Sequence, residues 1–366
     1  MASIKAPSVN IAFIEKAISA IARGDRGIVV VAIKEASEMD PFAVMTIADI
    51  PVALTDANKE QIKMALKGYS NAPKKVIVYV MNSSAESLDE EYTNMMNYLY
   101  TEKWQYLAIP TVETDGKAED IATWIKSCRQ NKKLFKAVLP NVKADCEGVV
   151  NVTGSLVIGD KTYTPEECCA RVAGLIAGTA ITISCTYAPL LDADDCNRLQ
   201  DLDTPVGDGE FIFMNDGEKV KVVRGVNSFV TTTDTKGDSF KKIKIVEAMD
   251  MIADDIRQTA EDSYLGKYAN SYDNKCLLIM AINGYFRQLV TDGVLSGGSA
   301  SIDVEGTRTY WMSKGGLVKL EDGSSKNIVD CSDDEIKRSN TGSQVFLTAS
   351  ISILDALEDI ELPIYI

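Results

Sequence analysis

The feature that most constrains the fold is an alternation of short apolar runs with amphipathic segments between residues 25 and 150. The apolar runs have the length of strands and cover residues 28–33, 76–81, 104–109, 134–139 and 149–153. Between them, apolar residues recur three or four positions apart, as on one face of a helix. This alternation is typical of repeated βα units, so it predicts a mainly parallel sheet with helices on both faces.

Capping residues predict where two of the helices begin. Ser83 and Glu86 have the spacing of a capping box and predict the start of the helix before residue 100. Thr164 and Glu167 have the same spacing, and Pro165 suits the first position of a helix.

The helix that starts at Pro165 leads into an uncharged stretch over residues 172–191, which has the length of a membrane span. The threonine and serine residues in this stretch, together with Pro189, favour a buried helix followed by an extended segment. Gly174 and Gly178 predict that this helix packs closely against the sheet.

Turn residues divide the middle of the chain. One hairpin is predicted to turn at Gly159-Asp160, and another is predicted around residues 215–217. Residues 192–209 are rich in aspartate but lack the glycine and the final glutamate of a calcium-binding loop, so a solvated acidic loop is the prediction there.

The last third of the chain has a different character. Apolar spacing predicts long helices around residues 246–256 and 278–289. Residues 293–326 are rich in glycine and serine and are expected to form short strands, and the last sixteen residues are expected to end as a strand.

These patterns together predict an α/β plus α+β fold. A mainly parallel α/β domain is inserted into a C-terminal α+β domain, and an extended arm lies at each end of the chain. The expected division is an N-terminal arm over residues 1–24, the α/β domain over 25–230, the α+β domain over 231–350 and a C-terminal arm over 351–366.

The composition excludes several classes of chemistry. The chain has no histidine, which excludes imidazole-based catalysis and histidine-ligated metals. It contains neither a G-x-G-x-x-G motif after a strand nor a G-x-x-x-x-G-K-S/T motif, so nothing indicates a phosphate-binding loop. The eight cysteines form no C-x-x-C pair and are expected to be reduced and mostly buried. We predict no catalytic residue, no metal, no cofactor and no enzymatic activity.

Charge and targeting signals narrow the choice of partners. The formal net charge of −15 disfavours nucleic-acid binding, so proteins are the expected partners. The first residues do not resemble a secretory signal, and we therefore expect the chain to be made in the cytoplasm and not to insert in a membrane.

Both ends of the chain are unusually apolar. Val9, Ile11 and Phe13 alternate with other residues near the N-terminus. Leu362, Ile364 and Ile366 alternate in the same way at the C-terminus, where residues are normally polar and frayed. A strand this apolar must pair with a sheet, either in its own chain or in another copy, and the residues alone leave both alternatives open.

Several segments, taken in order along the chain, resemble the contractile tail sheath proteins of the short type found in contractile bacteriophages and phage-tail-like bacteriocins. They cover residues 9–17, 23–27, 231–256, 264–267, 289–295 and 345–360. The match is most specific over residues 231–366.

The resemblance implies a structural role. Sheath subunits of this family assemble as stacked hexameric rings or a helix around an inner tube, and their terminal arms add strands to sheets of neighbouring subunits. Contraction then drives the tube through a cell envelope without nucleotide hydrolysis. The expected partners are other copies, the inner tube, and baseplate and terminator proteins, in a particle released by lysis.

The resemblance also suggests roles for particular residues. Val9, Ile11 and Phe13 are expected in one donated strand, and Leu362, Ile364 and Ile366 in the other. Asp355 and Glu358, close to the C-terminal arm, are candidates for contact with the tube or another subunit.

Two other classes of function stay open on the sequence. The chain could be a self-assembling protein that does not contract, such as a tube or surface-layer subunit. It could also be an α/β nucleotide-binding enzyme, although the missing phosphate loop and the absence of histidine oppose this.

Overall fold

The structure is a computed structural model and describes residues 20–24 and 26–365. The chain divides into two compact units. We call residues 23–254, 292–294 and 353–365 the α/β unit, and residues 20–22, 255–291 and 295–352 the C-terminal unit. The four-part division expected from the sequence stays a prediction.

Among the described residues before position 225, the chain forms twelve strands, β1 to β12 in chain order. Their bounds are β1 Ile28–Glu35, β2 Phe42–Val44, β3 Lys75–Asn82, β4 Tyr106–Ala108, β5 Lys136–Pro140, β6 Val149–Val152, β7 Leu156–Ile158, β8 Lys161–Tyr163, β9 Asp195–Cys196, β10 Glu210–Phe211, β11 Phe213–Asn215 and β12 Val220–Val222. The helices that accompany them are α1 Asp56–Leu66, α2 Leu88–Thr101, α3 Ala118–Gln130, α4 Pro165–Ala177, α5 Asp203–Gly207 and α6 Ile243–Ser263. Short 3₁₀ helices cover Ile47–Asp49 and Asp238–Lys241.

The main sheet has seven strands in the order β10-β6-β5-β4-β1-β3-β2. Every neighbouring pair is parallel except β2 and β3, which are antiparallel. The mainly parallel sheet predicted from the apolar runs is therefore confirmed, and each of the five predicted runs contains a strand.

Strand β1 explains why this sheet needs helices on both faces. Its residues alternate between two separate cores, because successive side chains of a strand point to opposite faces. Val29 and Val31 pack on one face with residues of α1 and α4. Ile28 and Val30 pack on the other face with residues of α2 and α3.

Helix α4 begins as the sequence predicts. Thr164 and Glu167 form a reciprocal capping box, and Pro165 occupies the first turn. The cap predicted at Ser83, for the helix before residue 100, is wrong. That helix is α2, and it begins after Ser87, whose side chain accepts a hydrogen bond from the Glu90 backbone amide. Both serines are followed by a glutamate three residues later, so the spacing alone could not separate them.

The predicted close packing at Gly174 is present, but its nearest neighbour is a helix rather than the sheet. A β-carbon placed on Gly174 would lie 1.9 Å from the Ala65 carbonyl oxygen, in α1. Gly178 similarly approaches the backbone around Gly68 and Asn71. Glycine at these positions lets the segments of α1 and α4 come together on one face of the sheet.

Buried ion pairs join the start of α6 to α3 and β5 within the α/β unit. The Asp250 carboxylate accepts hydrogen bonds from both terminal nitrogens of Arg129, at 2.9 and 3.0 Å, and from Lys136 Nζ at 2.9 Å. Glu247 accepts from the Tyr106 hydroxyl at 2.6 Å. These charges are paired inside the unit, as buried charges must be.

The C-terminal unit contains the remaining elements. They are α7 Tyr272–Thr291, β13 Leu295–Ile302, α8 Val304–Ser313, β14 Leu317–Lys319, β15 Ser325–Asn327, a 3₁₀ helix over Ile328–Asp330, α9 Asp333–Arg338 and β16 Leu347–Ile353. The two long helices predicted in this region, α6 and α7, are confirmed. Helix α8 corrects the expectation of short strands alone over residues 293–326, and Asp303 caps it by accepting from the Gly306 amide at 2.8 Å.

The predicted final strand is wrong in this chain taken by itself. Strand β16 ends at Ile353, and residues 354–365 form neither helix nor strand. A strand needs a neighbouring strand to bond with, and the described part of the chain supplies none beyond the Leu354 amide, which donates to the Val294 carbonyl oxygen.

The other sequence expectations have simple outcomes. All eight cysteines are free, and seven of them are buried. Within residues 20–24 and 26–365, no helix is long and apolar enough to cross a membrane.

Candidate subunit interface

Residues 354–365 follow β16 and separate into two parts with different surroundings. We call residues 354–359 the anchor segment and residues 360–365 the free arm. Ion pairs and hydrogen bonds hold the anchor segment on the α/β unit. In the free arm, the residues Leu362, Ile364 and Tyr365 are 74%, 78% and 91% exposed.

Glu358 is the most enclosed residue of the anchor segment. Its side chain is only 6% exposed. The Thr186 hydroxyl donates to Glu358 Oε1 at 2.6 Å, and Ser184 Oγ lies 3.1 Å from the same oxygen. Arg224 Nε and Lys242 Nζ lie 3.3 and 3.4 Å from the other carboxylate oxygen. We call Ser184, Thr186, Arg224 and Lys242 the carboxylate cradle.

Two more carboxylates of the anchor segment use the same cations. Asp355 pairs with Lys242, and Asp359 pairs with Arg224. The Lys244 ammonium also donates to the Leu354 carbonyl oxygen, and the Leu354 amide donates to the Val294 carbonyl oxygen at 2.9 Å. The anchor segment is thus held by contacts with four separate parts of the α/β unit.

The pKa values of the cradle follow from this arrangement. Burial lowers the pKa of the Lys242 ammonium, but its hydrogen bond to Asp355 and the charge of Glu358 outweigh burial and raise that pKa above its usual value. The hydrogen bond to Asp359 raises the pKa of Arg224. Burial raises the pKa of Asp355, whereas its hydrogen bond to Lys242 lowers it, and the net shift is downward. All three groups therefore stay charged near neutral pH.

The residues singled out from the sequence fall into three groups. Val9, Ile11, Phe13 and Ile366 lie outside the described residues. Leu362 and Ile364 lie on the exposed free arm. Asp355 and Glu358 form ion pairs within their own chain, and a contact of these two residues with the tube or another subunit stays a prediction.

No pattern in the sequence indicates the carboxylate cradle. Its residues come from the segment after α4, from the segment after β12 and from the residue before α6. Only the fold brings them together, since Ser184 is 174 positions from Glu358. The acidic residues Asp355 and Glu358 can be read from the sequence, but the cations that pair with them cannot.

A second candidate surface lies in the C-terminal unit, where β13 and β16 form a two-stranded sheet. The strands run antiparallel. At one end the Asp303 backbone amide donates to the Phe346 carbonyl oxygen, and at the other end the Ser296 hydroxyl donates to the Ser352 carbonyl oxygen. Among the described residues, no third strand joins this sheet. In β13, the Ala300 amide donates to the Asn283 side chain, and the Ala300 carbonyl accepts from it. The outer edge of β16 is therefore the edge of this sheet that best suits an added strand.

An exposed apolar arm and an open strand edge suit binding of extended polypeptide. Among the described residues, no cluster of cysteine, aspartate and glutamate could hold a metal ion. The two cations of the cradle, Arg224 and Lys242, are already paired with carboxylates of the anchor segment.

Family models match most of the chain. The model of the phage tail sheath protein central domain matches residues 85–228, and that of the phage tail sheath C-terminal domain matches residues 235–366. The tail sheath protein of the Clostridium phage phiCD119 is 34% identical over 365 residues, which cover 97% of this chain and 98% of that protein. The chain belongs to the phage tail sheath family. Family members are structural tail proteins, which implies a non-enzymatic role.

Solved structures support the sheath fold. The sheath tail protein of Desulfitobacterium hafniense has a TM-score of 0.67 at 16% identity, covering 95% of this chain and all of that one. The sheath of the anti-feeding prophage, described as a helical sheath in the contracted state, has a TM-score of 0.68 at 12% identity and covers 99% of both chains. The resemblance to a tail sheath inferred from the sequence is confirmed.

Proposed function

We propose that this sheath subunit polymerises helically with other copies of itself around an inner tube and contracts to drive the tube through a cell envelope. In this proposal the α/β unit and the C-terminal unit move as bodies, while extended arms keep neighbouring subunits linked. The energy is stored at assembly and released as the subunits reach the contracted lattice. The anti-feeding prophage sheath, which is helical and contracted, supports this reading.

The observation that carries the proposal is the exposed free arm. Ile360, Leu362 and Ile364 are each at least 74% exposed, although burying one such side chain stabilises a structure by about 1.5–3 kcal/mol. A segment with this composition gains both apolar burial and backbone hydrogen bonds when it adds to a sheet of another copy. Each such hydrogen bond contributes about 0.5–1.5 kcal/mol net.

The proposal includes a partner surface for the free arm. The outer edge of β16 is the best candidate for accepting the free arm, because no third strand joins this sheet among the described residues and the β13 backbone at Ala300 is already bonded to Asn283. Val9, Ile11 and Phe13 are proposed to form a second donated strand. We further propose that an α/β domain is inserted into an α+β sheath domain, and that tube, baseplate and terminator proteins are the remaining partners.

Electron microscopy of the purified full chain and two deletion variants tests this proposal. The full chain should form long tubes or sleeves, whereas variants lacking residues 1–14 or residues 360–366 should give folded monomers. Circular dichroism and melting temperature serve as controls for folding. Polymers of undiminished length from both variants would contradict strand donation.

The same images distinguish the alternative of a non-contractile polymer. A contractile sheath should show two lattices with different rise and diameter, one of them shorter. A polymer with one lattice under all conditions would favour a non-contractile assembly instead.

A further inference from the structure

We propose that the carboxylate cradle and the anchor segment form an electrostatic latch that fixes where the C-terminal arm leaves its own subunit. This inference rests on the proposed function, because it concerns the reach of an arm that links two copies. The latch holds Glu358 in place, so that the chain becomes free only from Ile360 onward.

A charged side chain is enclosed in a segment that has no secondary structure. The side chain of Glu358 is 6% exposed, whereas that of Asp359 is 83% exposed and the residue Leu357 is 93% exposed. An apolar side chain faces solvent here while a carboxylate is enclosed. Hydrophobic burial therefore does not hold the segment, and the paired charges do.

The charges of the cradle are opposite to those of the anchor segment. Three carboxylates of the anchor segment meet Arg224 and Lys242, and Lys244 binds the Leu354 carbonyl oxygen. Thr186 is itself fixed, since its hydroxyl oxygen accepts from the Gly225 amide at 2.9 Å while the hydroxyl donates to Glu358. Without the anchor segment, two cations would face each other with no carboxylate between them.

The latch changes how far the C-terminal arm can extend from its own subunit. An extended chain spans about 3.3–3.6 Å per residue. With the latch closed, the free arm can extend about 20 Å from its attachment as far as Tyr365, and with the latch open this distance becomes about 40 Å. A sheath whose subunits change their spacing thus has a segment of adjustable length at the base of each link.

Limited proteolysis of the full chain tests the latch directly. Chymotrypsin cleaves after leucine, and mass spectrometry identifies cleavage after Leu357 by the mass of the product. Glu358→Gln keeps the size of the side chain but removes its charge, so we expect cleavage after Leu357 to be at least about tenfold faster. Arg224→Gln should have a similar effect.

Two controls make the result interpretable. Glu361→Gln removes one charge from the exposed free arm, where no hydrogen bond or ion pair joins Glu361 to another described residue, and it should leave the rate unchanged. All variants are compared at a concentration where size-exclusion chromatography returns the same species and where melting temperatures confirm folding. In the double variant of Glu358 and Arg224, the effect should be smaller than the product of the two single effects, because both substitutions open one latch.

The outcomes separate this inference from the proposed function. Equal cleavage rates in the wild type, Glu358→Gln and Arg224→Gln proteins would overturn the latch, whether or not the chain polymerises. Faster cleavage in the Glu358→Gln and Arg224→Gln proteins, with an unchanged rate in Glu361→Gln, would support it. Loss of strand donation would be seen separately, as unchanged polymers after deletion of residues 360–366.

Discussion

Asp192 illustrates how single residues in an acidic loop become part of the fold. The sequence predicted a solvated loop, yet the side chain of Asp192 is only 19% exposed and pairs with Arg171 and Lys67. Arg171 is buried in α4 and also donates to the Gly68 carbonyl oxygen at 2.9 Å. Burial raises the pKa of Asp192, but the hydrogen bonds and charges of Arg171 and Lys67 outweigh burial and lower it to about 2.

This lowered pKa predicts a pH-dependent contribution to stability. Since the folded-state value lies below the usual 3.8, the contribution is fully present above pH 4 and is lost as the pH falls toward 2. Asp192→Asn should lower the free energy of unfolding by about 2 kcal/mol at pH 7. Denaturant titrations should show the difference from wild type shrinking between pH 4 and pH 2.

Asp160→Asn is the matched control for Asp192. Asp160 is an exposed residue of the β7–β8 turn and has no ion pair among the described residues. Its substitution should change the free energy of unfolding by less than about 0.5 kcal/mol. A pH-independent effect of Asp192→Asn would contradict the assigned role of the ion pairs.

Gly174 tests the close approach of α1 and α4. A methyl group there would overlap the Ala65 carbonyl oxygen, which belongs to the backbone and cannot rotate away. Gly174→Ala should therefore destabilise the protein by about 1–3 kcal/mol and lower the melting temperature, although alanine favours helices. Gly207→Ala is the control, because nothing lies within 4 Å of the position of its added β-carbon. Equal melting temperatures for the two variants would refute this packing.

At the scale of elements, the strands and helices with a repeating apolar pattern could be predicted from the sequence. Features that depend on contacts between distant segments could not. Strand β1 and helix α4 could be predicted because apolar periodicity and capping residues are local properties. Helix α8 was missed because glycine and serine dominate its surroundings, and only the cap at Asp303 indicated it. The carboxylate cradle was not predictable, since its residues meet only in the folded chain.

The free arm carries a backbone-specific prediction. Pro363 has no amide hydrogen, so in a strand added at one edge its position must face away from the accepting sheet. The amides of Leu362 and Ile364 then face the sheet, because successive amides of a strand point in opposite directions. Ile364→Pro should remove one of these hydrogen bonds and shorten or abolish the polymers seen by electron microscopy.

Two further variants separate backbone from side chain. Glu361→Pro places proline in the same orientation as Pro363 and should leave polymers intact. Ile364→Ala keeps the amide and should weaken assembly less than Ile364→Pro does. Intact polymers with Ile364→Pro would mean that this part of the arm does not join a sheet through its backbone.

At the scale of the whole molecule, the family could be inferred from the sequence, whereas the state of the ends could not. The order of motifs over residues 231–366 led to the sheath family, and the family models and the phiCD119 tail sheath protein confirm it. The final segment was expected as a strand, but in the single chain it is an anchored and then exposed coil. A strand completed by another copy is a property of the assembly, which one chain's sequence pattern can only suggest.

A cryo-electron microscopy map of the assembled particle, resolved well enough to trace the backbone of residues 354–366, tests the central claim most directly. We predict continuous density in which residues 360–366 form a hydrogen-bonded ladder with the β13–β16 sheet of a second copy, while Glu358 stays in the cradle of its own subunit in at least one state. Density in which both ends of the chain pair only with their own subunit would contradict the account.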